Sequence, residues 1–198
     1  MITIDCQQGS AEWLAVRAGI PSASNFDKLI TTKGEPSKQA QKYLYSLAAE
    51  KVSGIKEESF QSQAMLKGIE NEGEAVAYYE LTQGVEVQEV GFVLHESRRF
   101  GCSPDRLVGA EGLLEVKCPL PSSHVSYLLE NNLYQDYLQQ VQGQLLVTGR
   151  KWCDLISYSR GLRPLIVRVE RDEKFLKALE SYLETFCNDL EKIVEKIK

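Results

Sequence analysis

The chain is poor in the residues that transition metals favour. It has only two histidines, His95 and His124, among 198 residues, and its five cysteines (Cys6, Cys102, Cys118, Cys153 and Cys187) form no Cys-x-x-Cys pair. A zinc site and a disulfide framework are both disfavoured, and reduced thiols are expected. No run approaches the roughly 18 apolar residues of a membrane span. The first residues, Met-Ile-Thr-Ile-Asp-Cys-Gln-Gln, show no basic region followed by an apolar one. Neither membrane association nor a signal peptide is expected, and the expected location is cytoplasmic. Low-complexity segments, internal repeats and long linkers are also missing, so one domain over residues 1–198 is expected.

Positive charge is in short supply as well. The net charge is −5, and residues 61–100 carry three basic against seven acidic side chains. Residues 101–150 carry three and five, whereas residues 1–60 balance at seven each and residues 151–198 hold ten basic and nine acidic. A polyanionic partner is not suggested by this balance. Clustered acid in the middle third does suit a site that takes up cations.

What is present centres on Gly101 to Pro119, Gly-Cys-Ser-Pro-Asp-Arg-Leu-Val-Gly-Ala-Glu-Gly-Leu-Leu-Glu-Val-Lys-Cys-Pro. Gly109 to Gly112 reads as a turn between the strands Phe100 to Val108 and Leu113 to Lys117, a β-hairpin. Side chains alternate along a strand, so Glu115 and Lys117 share a face, about 7 Å apart along the backbone. The hairpin can bring Asp105 beside them. Two carboxylates and a lysine on one face make a hard-cation site with a fixed positive charge, the equipment of a magnesium-dependent phosphodiesterase. A surface hairpin with a simple Glu–Lys pair is the bland alternative.

Around this stretch the periodicity predicts helices at Ser10–Ala18, Pro21 to about Ile30, Ser37–Val52, Gln61–Leu81, Ser122–Asn131 and Tyr134–Val147, and from Asp172 onward. Val85–Val93, Lys151–Ser159 and Leu165–Glu170 read as further strands. The C-terminal stripe Phe175, Leu179, Leu183, Phe186, Leu190, Ile193 and Ile197 packs on the core or joins a coiled coil. The fold class is α/β (α+β), a mixed sheet flanked by helices.

Three features lie outside the hairpin. Glu72 falls on the apolar stripe of Met65, Ile69, Val76 and Tyr79, whereas Glu70, Glu74 and Glu80 lie off it. A carboxylate on such a face is a stripe edge, half of an ion pair, or a metal ligand. Arg17 and Trp13 share one face of the first helix, and Ser22 and Ser24 open the second. Those serines are plain caps, or they bind phosphate together with Arg17. Tyr137 and Gln140, one helical turn apart, either pack in the ordinary way or face the site.

Read in order, these motifs identify the chain as similar to the lambda-exonuclease family of phage-type recombination nucleases, within the nucleases that carry a Pro-Asp…(Asp/Glu)-x-Lys core. The resemblance runs from about Trp13 to Arg171. It rests on Glu12-Trp-Leu-Ala-Val-Arg17, Ser22-Ala-Ser24, Gly68-Ile-Glu-Asn-Glu72, Cys102-Ser-Pro-Asp105, Leu114-Glu-Val-Lys-Cys-Pro119 and Tyr137-Leu-Gln-Gln-Val-Gln142. It implies a restriction-endonuclease-like sheet and a Mg²⁺-dependent 5′→3′ exonuclease on double-stranded DNA ends, with Mn²⁺ as a substitute. Asp105, Glu115, the Val116 carbonyl and Glu72 would hold metal, Lys117 would be the catalytic lysine, and Gln140 would sit beside the reacting centre. Arg17, Ser24 and Ser103 would receive the terminal 5′-phosphate. A homotrimer ring around the DNA and a single-strand annealing protein as partner are implied too. The family's loop near Ser122 often supplies a basic side chain; here Pro121-Ser122-Ser123-His124 offers only His124. The rival readings are a restriction-type endonuclease and a non-catalytic DNA-end or interaction module on the same fold.

Overall fold

The computed structural model describes the backbone of residues 1–55 and 63–198 and the side chains of residues 1–55 and 71–198. Along the chain run β1 (Ile2–Ile4), α1 (Ala11–Arg17), a 3-10 helix (Ala23–Lys28), α2 (Ala40–Ser53) and α3 (Gln63–Gln83). There follow β2 (Val87–Glu89), β3 (Phe92–Leu94), β4 (Gly101–Cys102), β5 (Arg106–Val108) and β6 (Gly112–Lys117). The chain continues through α4 (Pro121–Glu130), α5 (Leu133–Thr148), β7 (Trp152–Ser157), β8 (Leu165–Glu170) and α6 (Glu173–Ile197). Helix ends follow their capping chemistry. Ser10 and Asp172 accept from the backbone N–H three residues on, and Gly54, Asn131 and Gly149 close α2, α4 and α5 in the left-handed conformation.

The main sheet has five strands in the order β2-β5-β6-β7-β8, mixed because β6 and β7 run parallel. The hairpin register pairs Arg106 with Leu114 and Val108 with Gly112. One face packs against α5 and α6 through Leu107, Leu113, Cys153, Leu155 and Val169. The other face packs against α3, with Ala75, Val76 and Tyr79 meeting Val108, Leu114, Val116 and Ile156. Alternation along β6 and β7 sends neighbouring side chains into different cores. The C-terminal stripe is buried within its own chain, from Phe175 to Val194, while Ile197 is exposed. It therefore packs on the core, as one of the two sequence readings had it.

Two predicted strands are each divided. Val85–Val93 becomes β2 in the main sheet and β3 in a second, three-stranded sheet of order β1-β3-β4. Phe100–Val108 becomes β4 and β5, again on different sheets. In both places the chain crosses between sheets: at Val90-Gly91, and at Ser103-Pro104-Asp105, where Pro104 has no N–H to give a ladder. β1 was not anticipated, because Ile2-Thr3-Ile4 is too short to signal by itself. The helix predicted from Pro21 is a six-residue 3-10 helix. The predicted start of the fourth helix at Gln61, and the side chains of Met65, Ile69 and Glu70, lie outside the described residues.

Two close approaches tie the periphery to the sheet. A Cβ on Gly143 of α5 would overlap the Phe26 ring of the 3-10 helix. Gly101 forms a bridge with Ser22, its N–H donating to Pro21 O at 3.0 Å, and a Cβ there would strike the Phe92 ring. Through these contacts Ser22 and Ser24 come close to the strand that leads to Asp105.

Candidate active site

The crossing at Pro104 sets Asp105 opposite the end of β6. Its Oδ2 accepts the Val116 N–H at 2.6 Å. On the α5 face of β6, Glu115 and Lys117 form an ion pair at 2.7 Å. Glu115 is 2% exposed, and no apolar neighbour could compensate a charge there. Its partners come from α5. Gln140 donates to Glu115 Oε1 and accepts from Lys117 Nζ at 3.1 Å. Gln144 donates to Glu115 Oε2 at 2.6 Å. The Tyr137 ring lies 4.6 Å from Lys117 Nζ, a cation–π contact.

The electrostatics here are unbalanced. Burial pushes Asp105 well above the usual carboxylate range, and the Glu115 charge adds to it, against the opposing pull of Lys117 and the Val116 N–H. Burial by itself would lower the Lys117 ammonium, but Glu115 and Asp105 outweigh it and hold Lys117 above the ordinary lysine value. The buried Glu115 and the half-buried Asp105 thus share one cation.

Glu72 is half-buried and paired with Arg106 at 3.3 Å. It is near enough for its charge to raise Asp105 further. Arg106 Nη1 also donates to the Asp105 carbonyl at 2.6 Å, so Glu72 and Asp105 are joined through one guanidinium. Of the sequence readings for Glu72, the ion pair is what the geometry displays. Off the apolar stripe, the partly exposed Glu74 binds Arg160 and Tyr158, and Glu80 accepts the Val87 N–H at 2.9 Å. Among the described residues no group of three His, Cys, Asp or Glu side chains is arranged to hold a metal ion. The donor set is nonetheless the hard-oxygen kind: Glu115 Oε2 is engaged by Gln144, Asp105 Oδ2 by Val116, and both keep acceptor capacity.

A second cluster lies beyond β4. Arg17 Nη2 is 3.3 Å from the hydroxyls of both Ser22 and Ser24. The Arg17 guanidinium stacks 3.8 Å over the Trp13 ring, and Trp13 Nε1 donates to Ser103 Oγ at 2.9 Å. Arg17 and Ser24 are thus in direct contact, and Ser103 reaches them through Trp13. The 3-10 helix is too short to act as an anion-binding helix end, so the cluster depends on its side chains. Burial lowers Arg17 from the ordinary guanidinium value.

His124 is no surface base. It is fully buried, with Nδ1 on Ser157 Oγ at 2.7 Å and Nε2 on the Arg163 carbonyl at 2.9 Å. The position near Ser122 therefore offers no basic contact from this residue. Cys102 is buried and Cys118 half-buried, as small apolar residues would be. The sequence reading missed Gln144, Arg106 and Asn25. Gln144 had a signal, since it lies one helical turn after Gln140. Arg106 and Asn25 had none.

The sequence matches the YqaJ-like viral recombinase domain over residues 12–151. Its fold superposes on an alkaline exonuclease, LHK-Exo, from Laribacter hongkongensis, with a TM-score of 0.87 and 33% identity over 95% of this chain and 96% of that one. The same enzyme in complex with dAMP gives a TM-score of 0.87 and 34% identity, covering 96% of each chain. A phage-related exonuclease from Haemophilus somnus has a TM-score of 0.73 at 14% identity, over 90% of this chain and 96% of that one, a likeness of fold alone. Comparison with curated protein sequences returned no match. Among the described residues, no helix is long and apolar enough to cross a membrane.

Proposed function

The chain belongs to the family of YqaJ-like viral recombinase domains, a lambda-exonuclease-like family, and from that premise we propose that it is a Mg²⁺-dependent 5′→3′ exonuclease on double-stranded DNA ends. The observation that carries this reading is the join between the two clusters. Ser22, in contact with Arg17, bridges Gly101, and four residues further on the chain reaches Asp105 beside Glu115 and Lys117. An anion pocket next to an acidic centre is what trimming from a phosphorylated end requires. The similar LHK-Exo structure holds dAMP, the class of product expected.

Asp105, Glu115 and the Val116 carbonyl would hold the metal, with Glu72 close by. Their fit rests on the charge imbalance: the buried Glu115 and the half-buried Asp105 share one lysine, and a divalent cation would offset the excess. When bound, Mg²⁺ lowers the pKa of a coordinated water and offsets charge on the phosphate. Lys117, held protonated, orients the attacking water and stabilises negative charge as it develops on the phosphate oxygens. Gln140 steadies both Lys117 and Glu115. Water forms a new P–O bond, the bond to the 3′-oxygen breaks, and that oxygen takes a proton. A 5′-mononucleotide departs, and the strand begins again with a 5′-phosphate.

The reading extends to a homotrimer ring around the duplex and to a single-strand annealing protein that takes over the 3′ overhang. A ring would explain how a chain of net charge −5 retains DNA. Linear duplex labelled at either 5′ or 3′ end, with and without Mg²⁺, tests polarity and metal need together. Labelled mononucleotide should leave the 5′ end first, only with Mg²⁺, and closed circular duplex should stay intact. Lys117→Ala should abolish release while DNA binding persists; full activity in that variant would refute the mechanism. Solution mass tests the trimer.

A further inference from the structure

The cluster around Ser22 and Ser24 contains one more polar side chain, Asn25. Asn25 Nδ2 lies 3.4 Å from both hydroxyls, opposite Arg17 Nη2 at 3.3 Å, and the two hydroxyls are 3.3 Å apart. Arg17 and Asn25 thus present nitrogens to the same pair of oxygens. All these contacts sit at the long end of the hydrogen-bond range. Donors exceed acceptors: one proton at most lies between the two serine oxygens, so the second hydroxyl proton has to point elsewhere. Among the described residues, the buried Arg17 Nε has no hydrogen-bond partner. Among the described residues no carboxylate forms an ion pair with Arg17. A cluster with spare donors and loose internal bonds is completed by a ligand that only accepts.

The Asn25 amide is not free to turn. Lys28 Nζ meets it at 2.7 Å, the shortest contact of the group. An ammonium has no lone pair to offer, so the atom facing it has to be Oδ1, and Nδ2 has to face the serines. Lys28 lies in turn over the Tyr43 ring, 5.4 Å from its centroid. The Tyr43 hydroxyl accepts the Ser22 N–H at 3.3 Å, which closes the loop back to the pocket. A terminal phosphate offers three non-bridging oxygens and, above a second pKa of about 6, two negative charges. An internal phosphodiester offers two such oxygens and one charge. The terminal group thus offers these donors one more oxygen and a second negative charge.

We propose that Asn25, its amide oriented by Lys28, is a specificity-determining residue that binds the terminal 5′-phosphate alongside Arg17, Ser22 and Ser24. This rests on the reading of the Arg17 cluster as a terminal-phosphate pocket. Asn25→Asp tests it with almost no change of shape. The new carboxylate still pairs with Lys28, so the 3-10 helix keeps its contact, but a donor becomes a negative charge facing the phosphate.

The measurement compares 5′-phosphoryl with 5′-hydroxyl linear duplex, both as initial rates with Mg²⁺ and as binding by fluorescence anisotropy without divalent metal. In Asn25→Asp the phosphoryl preference should fall about tenfold to a hundredfold in both readouts. Lys28→Met frees the amide to rotate and should lower it by about threefold, and this second variant serves if the first is poorly folded. An undiminished preference in Asn25→Asp and Lys28→Met, with the preference lost in Arg17→Ala, overturns the role of Asn25 and leaves the pocket standing. A preference that survives in Arg17→Ala overturns the pocket itself, and this inference with it.

Discussion

Two buried carboxylates on neighbouring parallel strands face opposite sides of the sheet, and their surroundings differ in kind. Asp154 on β7 and Glu115 on β6 are each 2% exposed. Asp154 points toward α3. Both its oxygens are taken by the Arg168 fork at 2.8 and 2.7 Å, and Tyr79 donates to it at 2.6 Å. Arg168 is itself clamped 3.8 Å over the Trp152 ring. One carboxylate meets one guanidinium, and the account closes. On the α5 face Glu115 and Asp105 share the single ammonium of Lys117, and Asp105 is driven up by burial and by its neighbour. A closed pair stabilises, whereas an open one stores a demand for a further cation. Burial by itself therefore does not distinguish a structural acid from a chemical one; the count of counter-charges does.

Exchange of roles is the way to break this contrast. Glu115→Gln should lower the rate of mononucleotide release by on the order of a thousandfold, with a melting temperature close to that of the unaltered chain. A loss under tenfold would remove Glu115 from the chemistry. Asp154→Ala should do the reverse. It should cost about 3 kcal/mol in urea unfolding, at the lower end for a buried pair because Arg168 is half-exposed and can be solvated. Its rate per folded molecule should stay within about threefold, and a collapse of that rate in well-folded protein would erase the distinction.

Smaller effects sharpen the contrast. Among the described residues, the buried Gln144 Oε1 has no hydrogen-bond partner, while Nε2 holds Glu115. Gln144→Leu should reduce kcat by about tenfold to a hundredfold and raise the Mg²⁺ concentration needed for half activation. An unchanged Mg²⁺ titration would make Gln144 a packing residue.

The smallest effect is one of stability against pH. Asp105 has its folded pKa raised, so the folded chain binds its proton more tightly than the unfolded chain does. Its stabilising share is complete below the ordinary carboxylate value and is lost as pH rises through the folded value. Asp105→Asn escapes that loss. Without metal it should be more stable than the unaltered chain at pH 8, with the advantage vanishing toward pH 4. Equal stabilities at both pH values would contradict the raised pKa.

Most of the fold was legible where a periodic pattern was long. The strands Lys151–Ser159 and Leu165–Glu170 and the helices ending at Gly54, Asn131 and Gly149 all lie within a few residues of their predicted bounds. The turn of the hairpin at Gly109–Gly112 was legible too, and the structure pairs Val108 with Gly112 across it. The divided strands were not legible, since Val85–Val93 and Phe100–Val108 read as continuous β-runs and the switch of sheet depends on which partner strand is near. In the acidic centre, spacing could align Glu115 with Lys117 and suggest Gln140. It could not foresee that Glu72 would meet Arg106, because that pair joins residues 34 positions apart.

The sequence by itself determined the alternation that puts Glu115 and Lys117 on one face of a strand, the turn that returns Asp105 to them, and the helical spacing that aligns Gln140 with Gln144. These are local, set by the 2.0 and 3.6 periodicities of the backbone. Only the tertiary structure decided how charge is shared: that Asp154 has a guanidinium to itself, that Asp105 and Glu115 divide one lysine, and that Arg17 and Asn25 face the same two hydroxyls. Coulombic balance and burial depend on distances through space, and those are set by which faces of α3, α5 and the 3-10 helix the sheet can bury.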